Sequence, residues 1–242
     1  MQTSSAPVAK PSKLPLFFGL LVLVLLGLNL RPLLTSVGPL TDELQSITKL
    51  SFSEVSLLTT LPILMIGLMA LFAGRVTTAL GYKQGIGLGL LVLCAGLLVR
   101  LFEPTNISLI SSALVGGVGI ALLHIVIPEL TKQKYLNRLG MVTGLWSAAL
   151  MGGAALGAVA TPWAANLLPE RFQALGSWSL LALLVLVIWY LPFNRVPVAS
   201  IPPRHLLLRA HRYPRAWLLG IYFALVNAGY AGFIAWIAPF YA

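Results

Sequence analysis

The residue in this sequence best suited to chemistry is an arginine inside a long apolar stretch. Arg31 lies in the segment 27–40, GLNLRPLLTSVGPL, which contains no acidic residue. Insertion scales make an arginine at the centre of a membrane helix about 2.5–3.5 kcal/mol unfavourable, so such residues are usually functional. In a helix, Asn29, Thr35 and Ser36 share one arc with Arg31, opposite the leucines. We interpret this arc as the wall of a cavity in which a fixed cation contacts a small anion or a polar planar solute.

A second interpretation of Arg31 is simpler. Its long side chain could extend along its own helix so that the guanidinium reaches the outer lipid headgroups. Arg31 would then have no contact with a solute. In the cavity interpretation, by contrast, Arg31 is the only cation expected in the protein interior.

Side chains in other apolar stretches are further candidates for solute contact. His124 follows a glycine-rich run and either takes part in solute or proton handling or is a packed, hydrogen-bonded residue. Trp146 stands on a stripe of small residues, where its ring either caps a cavity or fills a notch in the next helix. The remaining candidates, near the end of the sequence, are Asn227 and Tyr230.

Several glycines in the same stretches predict where helices touch. Gly153 and Gly157 form a small-xxx-small pair, which allows two helix backbones to cross closely. A second group serves close approach in the same way, namely Gly116, Gly117 and Gly119.

The sequence lacks the usual signatures of catalysis and of metal binding. It contains no HExxH, no GxSxG, no P-loop and no Cys/His cluster. Its single cysteine, Cys94, lies inside an apolar run and can form neither a disulfide framework nor a thiolate metal site. We therefore expect no enzyme activity, no cofactor and no metal.

Composition excludes a soluble domain. Of the 242 residues, 58% are hydrophobic and 9% are charged, whereas soluble domains average about 45–50% and about 25%. A disordered chain is excluded for the same reason. The net charge of +10 comes from basic clusters between apolar runs. This is typical of loops beside a lipid bilayer rather than of a nucleic-acid partner.

Seven apolar stretches are long enough to cross a membrane, which takes about 20 residues. We predict an all-α membrane protein with a bundle of six helices and a seventh transmembrane helix. The expected divisions are a tail at 1–13, the six-helix bundle at 14–192, a basic linker at 193–215 and one further helix at 216–242. The predicted stretches are about 14–37, 53–73, 85–102, 106–128, 139–162, 173–192 and 216–238.

Basic residues predict the orientation in the membrane. When successive loops are assigned to alternate sides, twelve of the sixteen lysines and arginines fall on one side. That side should be cytoplasmic, and it includes the amino terminus and the linker. The twelve are Lys10, Lys13, Arg75, Lys83, Lys132, Lys134, Arg138, Arg195, Arg204, Arg209, Arg212 and Arg215.

Three segments together resemble the bacterial cyanate transporter family, a branch of the major facilitator superfamily that also includes nitroimidazole exporters. They are 27–40, 141–153 (MVTGLWSAALMGG) and 214–231 (PRAWLLGIYFALVNAGYA). The segment 74–83, GRVTTALGYK, resembles the superfamily's loop between helices two and three, but has Thr78 and Ala79 where an acidic and a basic residue are usual.

The resemblance implies a twelve-helix carrier of the bacterial inner membrane that works by alternating access. The chain would then hold the first six-helix half, the central linker and helix seven. The rest of the second half, or a second copy, would be its partner. The implied solute is cyanate or a similar small anion, contacted by Arg31. One alternative is export of a nitroheterocycle, with Trp146 and Tyr230 as stacking surfaces. The other is a truncated, non-transporting fragment.

The two halves of a facilitator are related by an axis along the membrane normal, with the site where they meet. Helix seven should then repeat helix one. We therefore predict that Asn29 and Asn227 lie at matching depth and face the central cavity.

Overall fold

The computed structural model describes residues 13–102, 104–191 and 213–241, with side chains from 17 to 229 within those ranges. Residues 1–12 of the predicted tail and most of the predicted linker at 193–215 lie outside these residues. Every regular element in the described ranges is helical, which confirms the all-α class.

Ten α-helices follow one another along the described chain, with short 3₁₀ turns at Gly38–Leu40, Leu136–Arg138 and Arg171–Gln173. Their bounds are α1 Lys13–Leu30, α2 Pro32–Thr35, α3 Thr41–Thr48, α4 Phe52–Ala70, α5 Ala73–Val99, α6 Asn106–Lys134, α7 Leu139–Ala165, α8 Ala174–Ser177, α9 Ser179–Tyr190 and α10 Pro214–Tyr241.

Six segments of the described chain are long and apolar enough to cross a membrane, and they match the six stretches predicted for the bundle. Helix α10 covers the seventh predicted stretch, and its side chains from 217 to 229 are exposed. The six segments are Phe17–Thr48, Phe52–Ala70, Ala73–Val99, Asn106–Lys134, Leu136–Ala165 and Arg171–Tyr190.

The third span is preceded by a short helical segment that the sequence did not predict. Segment 74–83 resembled a loop, but α5 starts at Ala73 and consists of two helices joined by a kink at Gly81. The φ of 65° at Gly81 is not helical and is one that glycine adopts without strain, and the predicted third span lies after this kink. Before the kink, the hydroxyl of Thr78 donates to the Gly74 carbonyl at 2.8 Å, as side-chain hydroxyls in helices commonly do.

The first span is broken at Arg31 rather than continuous. Pro32 has no N–H to donate to the carbonyl of Leu28 four residues earlier, so the regular hydrogen-bond ladder cannot pass it. Helix α1 accordingly ends at Leu30 and α2 begins at Pro32. The Arg31 carbonyl accepts the N–H groups of both Leu34 (2.9 Å) and Thr35 (3.1 Å). The chain then continues through α3 to Thr48, beyond the predicted end at 37.

Helices α5 and α6 pack backbone against backbone. A Cβ added to Gly96 would lie 2.6 Å from the Cα of Gly116, and one added to Gly119 would lie 2.8 Å from the Cα of Leu93. On another side of α6, a Cβ on Gly117 would lie 2.7 Å from the Cα of Pro62 in α4. All three glycines of α6 thus permit close helix approach, as predicted.

Helix α7 supports the break in the first span. A Cβ added to Gly153 would lie 2.9 Å from the Cα of Leu28 and would overlap its carbonyl oxygen, the one that Pro32 leaves without a helical donor. A Cβ added to Gly157 would lie 2.9 Å from the Cα of Pro32. The predicted tight crossing therefore exists, and its partner is the broken helix.

Two apolar clusters fill the bundle. One cluster joins α1, α5, α6, α7 and α9 through buried residues such as Leu90, Ile120 and Val185. The other lies towards the α3 end and is centred on Leu44 and Leu58.

We predict that Gly153→Leu damages folding rather than solute selectivity. A branched side chain there would push α7 away from the Leu28 carbonyl, and overpacking of this kind costs about 1–3 kcal/mol of unfolding free energy. Amount in the membrane and thermal stability in detergent should both fall. Gly144→Leu is the matched control on the same helix, because nothing lies within 4 Å of a Cβ at that position. Wild-type stability of the Gly153 variant would contradict the packing described.

Candidate functional site

Arg31 has no counter-charge in the part of the chain that the structure describes. Its side chain is half-buried, and its Nε is buried without a hydrogen-bond partner. The one ion pair between described residues lies elsewhere, between Arg171 and Glu43 at 2.8 Å. The helix break thus presents a guanidinium that is partly removed from water and is not neutralised by a carboxylate.

His124 is the titratable side chain that the structure brings near Arg31. It is half-buried on α6 and lies within electrostatic range of the arginine. Its Nδ1 lies 3.0 Å from the Ile120 carbonyl of the same helix. Since a carbonyl only accepts, Nδ1 carries the proton, and in the neutral imidazole Nε2 is then the acceptor. Among the described residues, no three His, Cys, Asp or Glu side chains are grouped so as to hold a metal ion.

Thr35 and Ser36 follow Arg31 but do not share its environment. The Thr35 hydroxyl donates to the Arg31 carbonyl at 3.2 Å, and its side chain packs against Gly157. Ser36 is fully buried, and its hydroxyl has no partner. Thr35 therefore reinforces the helix break, and solute contact by either residue stays a prediction.

Asn29 connects two helices. It is buried in the bundle, and its Nδ2 donates to the carbonyl of Leu181 on α9 at 3.1 Å. The side chain therefore points towards α9 and has a packing role. Its predicted contact with solute stays a prediction.

Trp146 lies in the main apolar cluster rather than at an open surface. It is buried, and its Cε3 would lie 3.3 Å from a Cβ added to Gly27 on α1. Of the two alternatives that the sequence left open, the structure shows the ring filling a notch in a neighbouring helix.

Of the two candidate solute contacts on α10, Asn227 has a described side chain and Tyr230 does not. Asn227 is exposed, and its Nδ2 donates to the Phe223 carbonyl of the same helix at 2.8 Å. The Tyr230 side chain lies outside the described residues. The matching depth predicted for Asn29 and Asn227 stays a prediction.

A second arginine is buried, and sequence reasoning missed it. Arg100 follows the last residue of α5 and is 2% exposed. Its Nε donates to the Ser112 hydroxyl at 3.0 Å, and its Nη1 donates to the Leu33 carbonyl at 2.9 Å. The expectation that Arg31 is the only interior cation is therefore wrong. No feature of the sequence indicates this burial, because an arginine at a helix end normally reaches water.

Comparison with known proteins decides the family. The family model of the major facilitator superfamily matches residues 16–242. The chain belongs to the major facilitator superfamily. This membership agrees with the resemblance seen in the sequence and with the six membrane-crossing segments of the structure. The protein is thus a multi-pass membrane protein.

Three relatives of this facilitator are transporters by name. It is 43% identical to the cyanate transport protein CynX of Escherichia coli (strain K12) over 92% of this chain and 58% of that protein. It is 29% identical to the uncharacterized transporter YycB of Bacillus subtilis (strain 168), over 93% of this chain and 56% of that protein. It is 28% identical to the 2-nitroimidazole transporter of Escherichia coli (strain K12), over 97% of this chain and 59% of that protein.

The facilitator chain spans less than three fifths of the length of each of these relatives. No solved structure matches it. All three relatives are named as transport proteins, and none is named as an enzyme.

We predict that Asn29→Ala lowers the thermal stability of this facilitator. Removing an interhelical hydrogen bond within a membrane protein costs about 1 kcal/mol, and here it frees the Leu181 carbonyl. Asn227→Ala is the matched control, because its amide bonds within its own exposed helix, and its melting temperature should stay at the wild-type value. Unchanged stability of Asn29→Ala together with weaker solute affinity would instead assign Asn29 to the cavity.

Proposed function

We propose that the protein is a secondary transporter that moves a small, cyanate-like anion across the bacterial inner membrane by alternating access. The observation that carries the proposal is Arg31, a partly buried cation at a helix break without a counter-charge in the described chain. A cation in such a place is costly, and a bound counter-charge lowers that cost. A transported anion would do so.

The chemistry of the guanidinium suits such a solute. Arginine stays charged at any working pH and offers planar, fixed donors, which match a small linear or planar anion. Among the described residues, no carboxylate forms an ion pair with Arg31. Asp42 and Glu43 are in the first turn of α3, Glu54 is in the first turn of α4, and Glu129 of α6 accepts from Gln133. An anionic solute at Arg31 would therefore replace no carboxylate already paired with it in the described chain.

The relatives support this choice of solute. The most similar of the three named above is called a cyanate transport protein, and it matches along nearly the whole of this chain. Cyanate has the small size and single negative charge that one arginine can hold.

Export of a nitroheterocycle is the second candidate, favoured by the similarity to the 2-nitroimidazole transporter. That function needs an aromatic surface on which the ring can stack. Trp146 and Tyr230 were the candidates for this role; the buried ring of Trp146 already packs against Gly27, and the Tyr230 side chain lies outside the described residues. The geometry therefore favours the anion.

We also propose that a further helical half completes the cavity. Facilitator sites form where two halves meet near the membrane midplane, and this chain spans less than three fifths of the relatives' length. The partner would be the second half or a second copy of this chain. Two measurements distinguish these partners: the mass of the protein purified from its native membrane, and the sequence of the gene beyond codon 242. Further apolar spans encoded there would indicate the second half, whereas a mass of twice this chain would indicate a second copy.

The proposed orientation places the amino terminus in the cytoplasm. It rests on the twelve basic residues that fall on one side of the predicted spans. Cysteines introduced at Lys83 and at Lys49 should then react with an impermeant thiol reagent from the cytoplasmic and outer sides of the membrane, respectively.

The first test is uptake by the purified protein in proteoliposomes. We expect saturable uptake of labelled cyanate, competed by unlabelled cyanate and not by 2-nitroimidazole. Movement of labelled 2-nitroimidazole alone would favour the export alternative. Movement of neither solute by protein that is folded and membrane-inserted would favour the non-transporting fragment.

The second test is the substitution Arg31→Ala. It should abolish cyanate uptake and leave insertion intact, because removing a cation lowers the cost of placing the helix in lipid. Arg31→Lys keeps the charge but loses the planar donors and should keep part of the activity. Arg171→Ala is the matched control, an arginine with 51% side-chain exposure that pairs with Glu43. Normal uptake by Arg31→Ala would leave the headgroup interpretation standing.

A further inference from the structure

The short helix that follows Arg31 cannot hold its own direction. Helix α2 has four residues, Pro32–Thr35, and a single turn is not stable by itself. The carbonyls at the end of a helix also lack donors within that helix, so they need partners from elsewhere. The direction of the Arg31 side chain therefore depends on what the neighbouring helices supply to α2.

Arg100 supplies one of those partners from inside the bundle. Its Nη1 donates to the Leu33 carbonyl at 2.9 Å, while its Nε donates to the Ser112 hydroxyl on α6 at 3.0 Å. One planar side chain thus ties the end of α5 to both α2 and α6. A lysine offers a single ammonium on a flexible stem and could not reproduce this fork.

We propose that Arg100 is a positioning residue that fixes the helix break so that Arg31 faces the solute. The inference rests on the proposed function of Arg31. Leu33 is two residues from Arg31, and the Arg31 carbonyl is itself bonded to the N–H groups of Leu34 and Thr35. A shift of the Leu33 carbonyl would therefore be passed to the Arg31 backbone. Displacements of about 1 Å are enough to weaken a binding site.

If Arg100 had a purely structural role, the expected results would differ from those of a positioning role. Arg100 would then only hold α5, α2 and α6 together. Its loss would lower the amount of folded protein while each folded molecule kept its normal solute affinity. The two roles therefore differ in what the folded molecules do.

The position of residue 31 can be measured without any transport. Arg31→Cys is introduced with Cys94→Ser, which removes the single native cysteine. The rate of reaction with a small water-soluble thiol reagent is then measured on monodisperse, folded protein. Adding Arg100→Met should change that rate several-fold, because the break is no longer fixed. Arg171→Met is the matched control and should leave the rate unchanged.

A milder variant keeps the test valid if Arg100→Met does not fold. Ser112→Ala leaves Arg100 in place but removes one of its two acceptors. It should change the reaction rate in the same direction and to a smaller extent. An unchanged rate in the folded Arg100→Met protein, or in Ser112→Ala where Arg100→Met does not fold, would overturn the positioning role.

Cyanate uptake then gives the functional readout. In proteoliposomes with equal amounts of folded protein, Arg100→Met should raise the KM for labelled cyanate about tenfold, as expected when a positioned contact is lost. Arg100→Lys should restore part of the affinity. An unchanged KM with a lowered melting temperature would overturn the inference while leaving Arg31 as the solute contact. Absence of uptake by the wild type would overturn the proposed function alone, since the thiol measurement does not depend on it.

Discussion

The missing N–H of Pro32 is the constraint on which the rest of the structure depends. Because this residue cannot donate to the Leu28 carbonyl, the first membrane helix ends at Leu30 and restarts at Pro32. An interrupted helix inside a membrane is tolerated only where neighbouring helices satisfy the freed backbone groups. Arg100 does so here for the Leu33 carbonyl, to which its Nη1 donates, while α7 packs closely against Leu28 through Gly153.

Glycine contacts make this support possible. Lipid tails are as apolar as leucine, so helices in a membrane associate mainly through close packing and hydrogen bonds rather than through the hydrophobic effect. Gly153 brings the α7 backbone against the broken helix, and Gly96 brings α5 against Gly116 on α6. The second contact carries Arg100 and Ser112 on adjacent helices, which lets one guanidinium reach across to α2. Helix packing and placement of the interior charges are thus parts of one arrangement.

The two interior arginines use their charge differently. Arg100 is fully buried; its Nε and Nη1 donate within the protein, and its Nη2 has no partner. Arg31 is half-buried, and its Nε has no partner. Each guanidinium thus has a nitrogen without a partner, and the two differ in exposure, because only Arg31 is partly open to an incoming ligand. This difference supports the assignment of Arg31 to a transported anion and of Arg100 to the geometry that presents it.

The sequence by itself determined the class of this protein and the approximate positions of six spans, and it predicted Arg31 as the contact for solute. These follow from composition, from the length of apolar runs and from the cost of a charge in lipid, which depend little on tertiary contacts. It also predicted the glycine contacts, although not their partners. Only the tertiary structure decided that a short helical segment precedes the kink at Gly81, that Asn29 bonds α9 and that Trp146 fills a notch at Gly27. Burial of Arg100 could not be predicted either. One of its acceptors, Leu33, is distant in sequence, and the other, Ser112, is on the next helix, so both come close to Arg100 only when the helices pack.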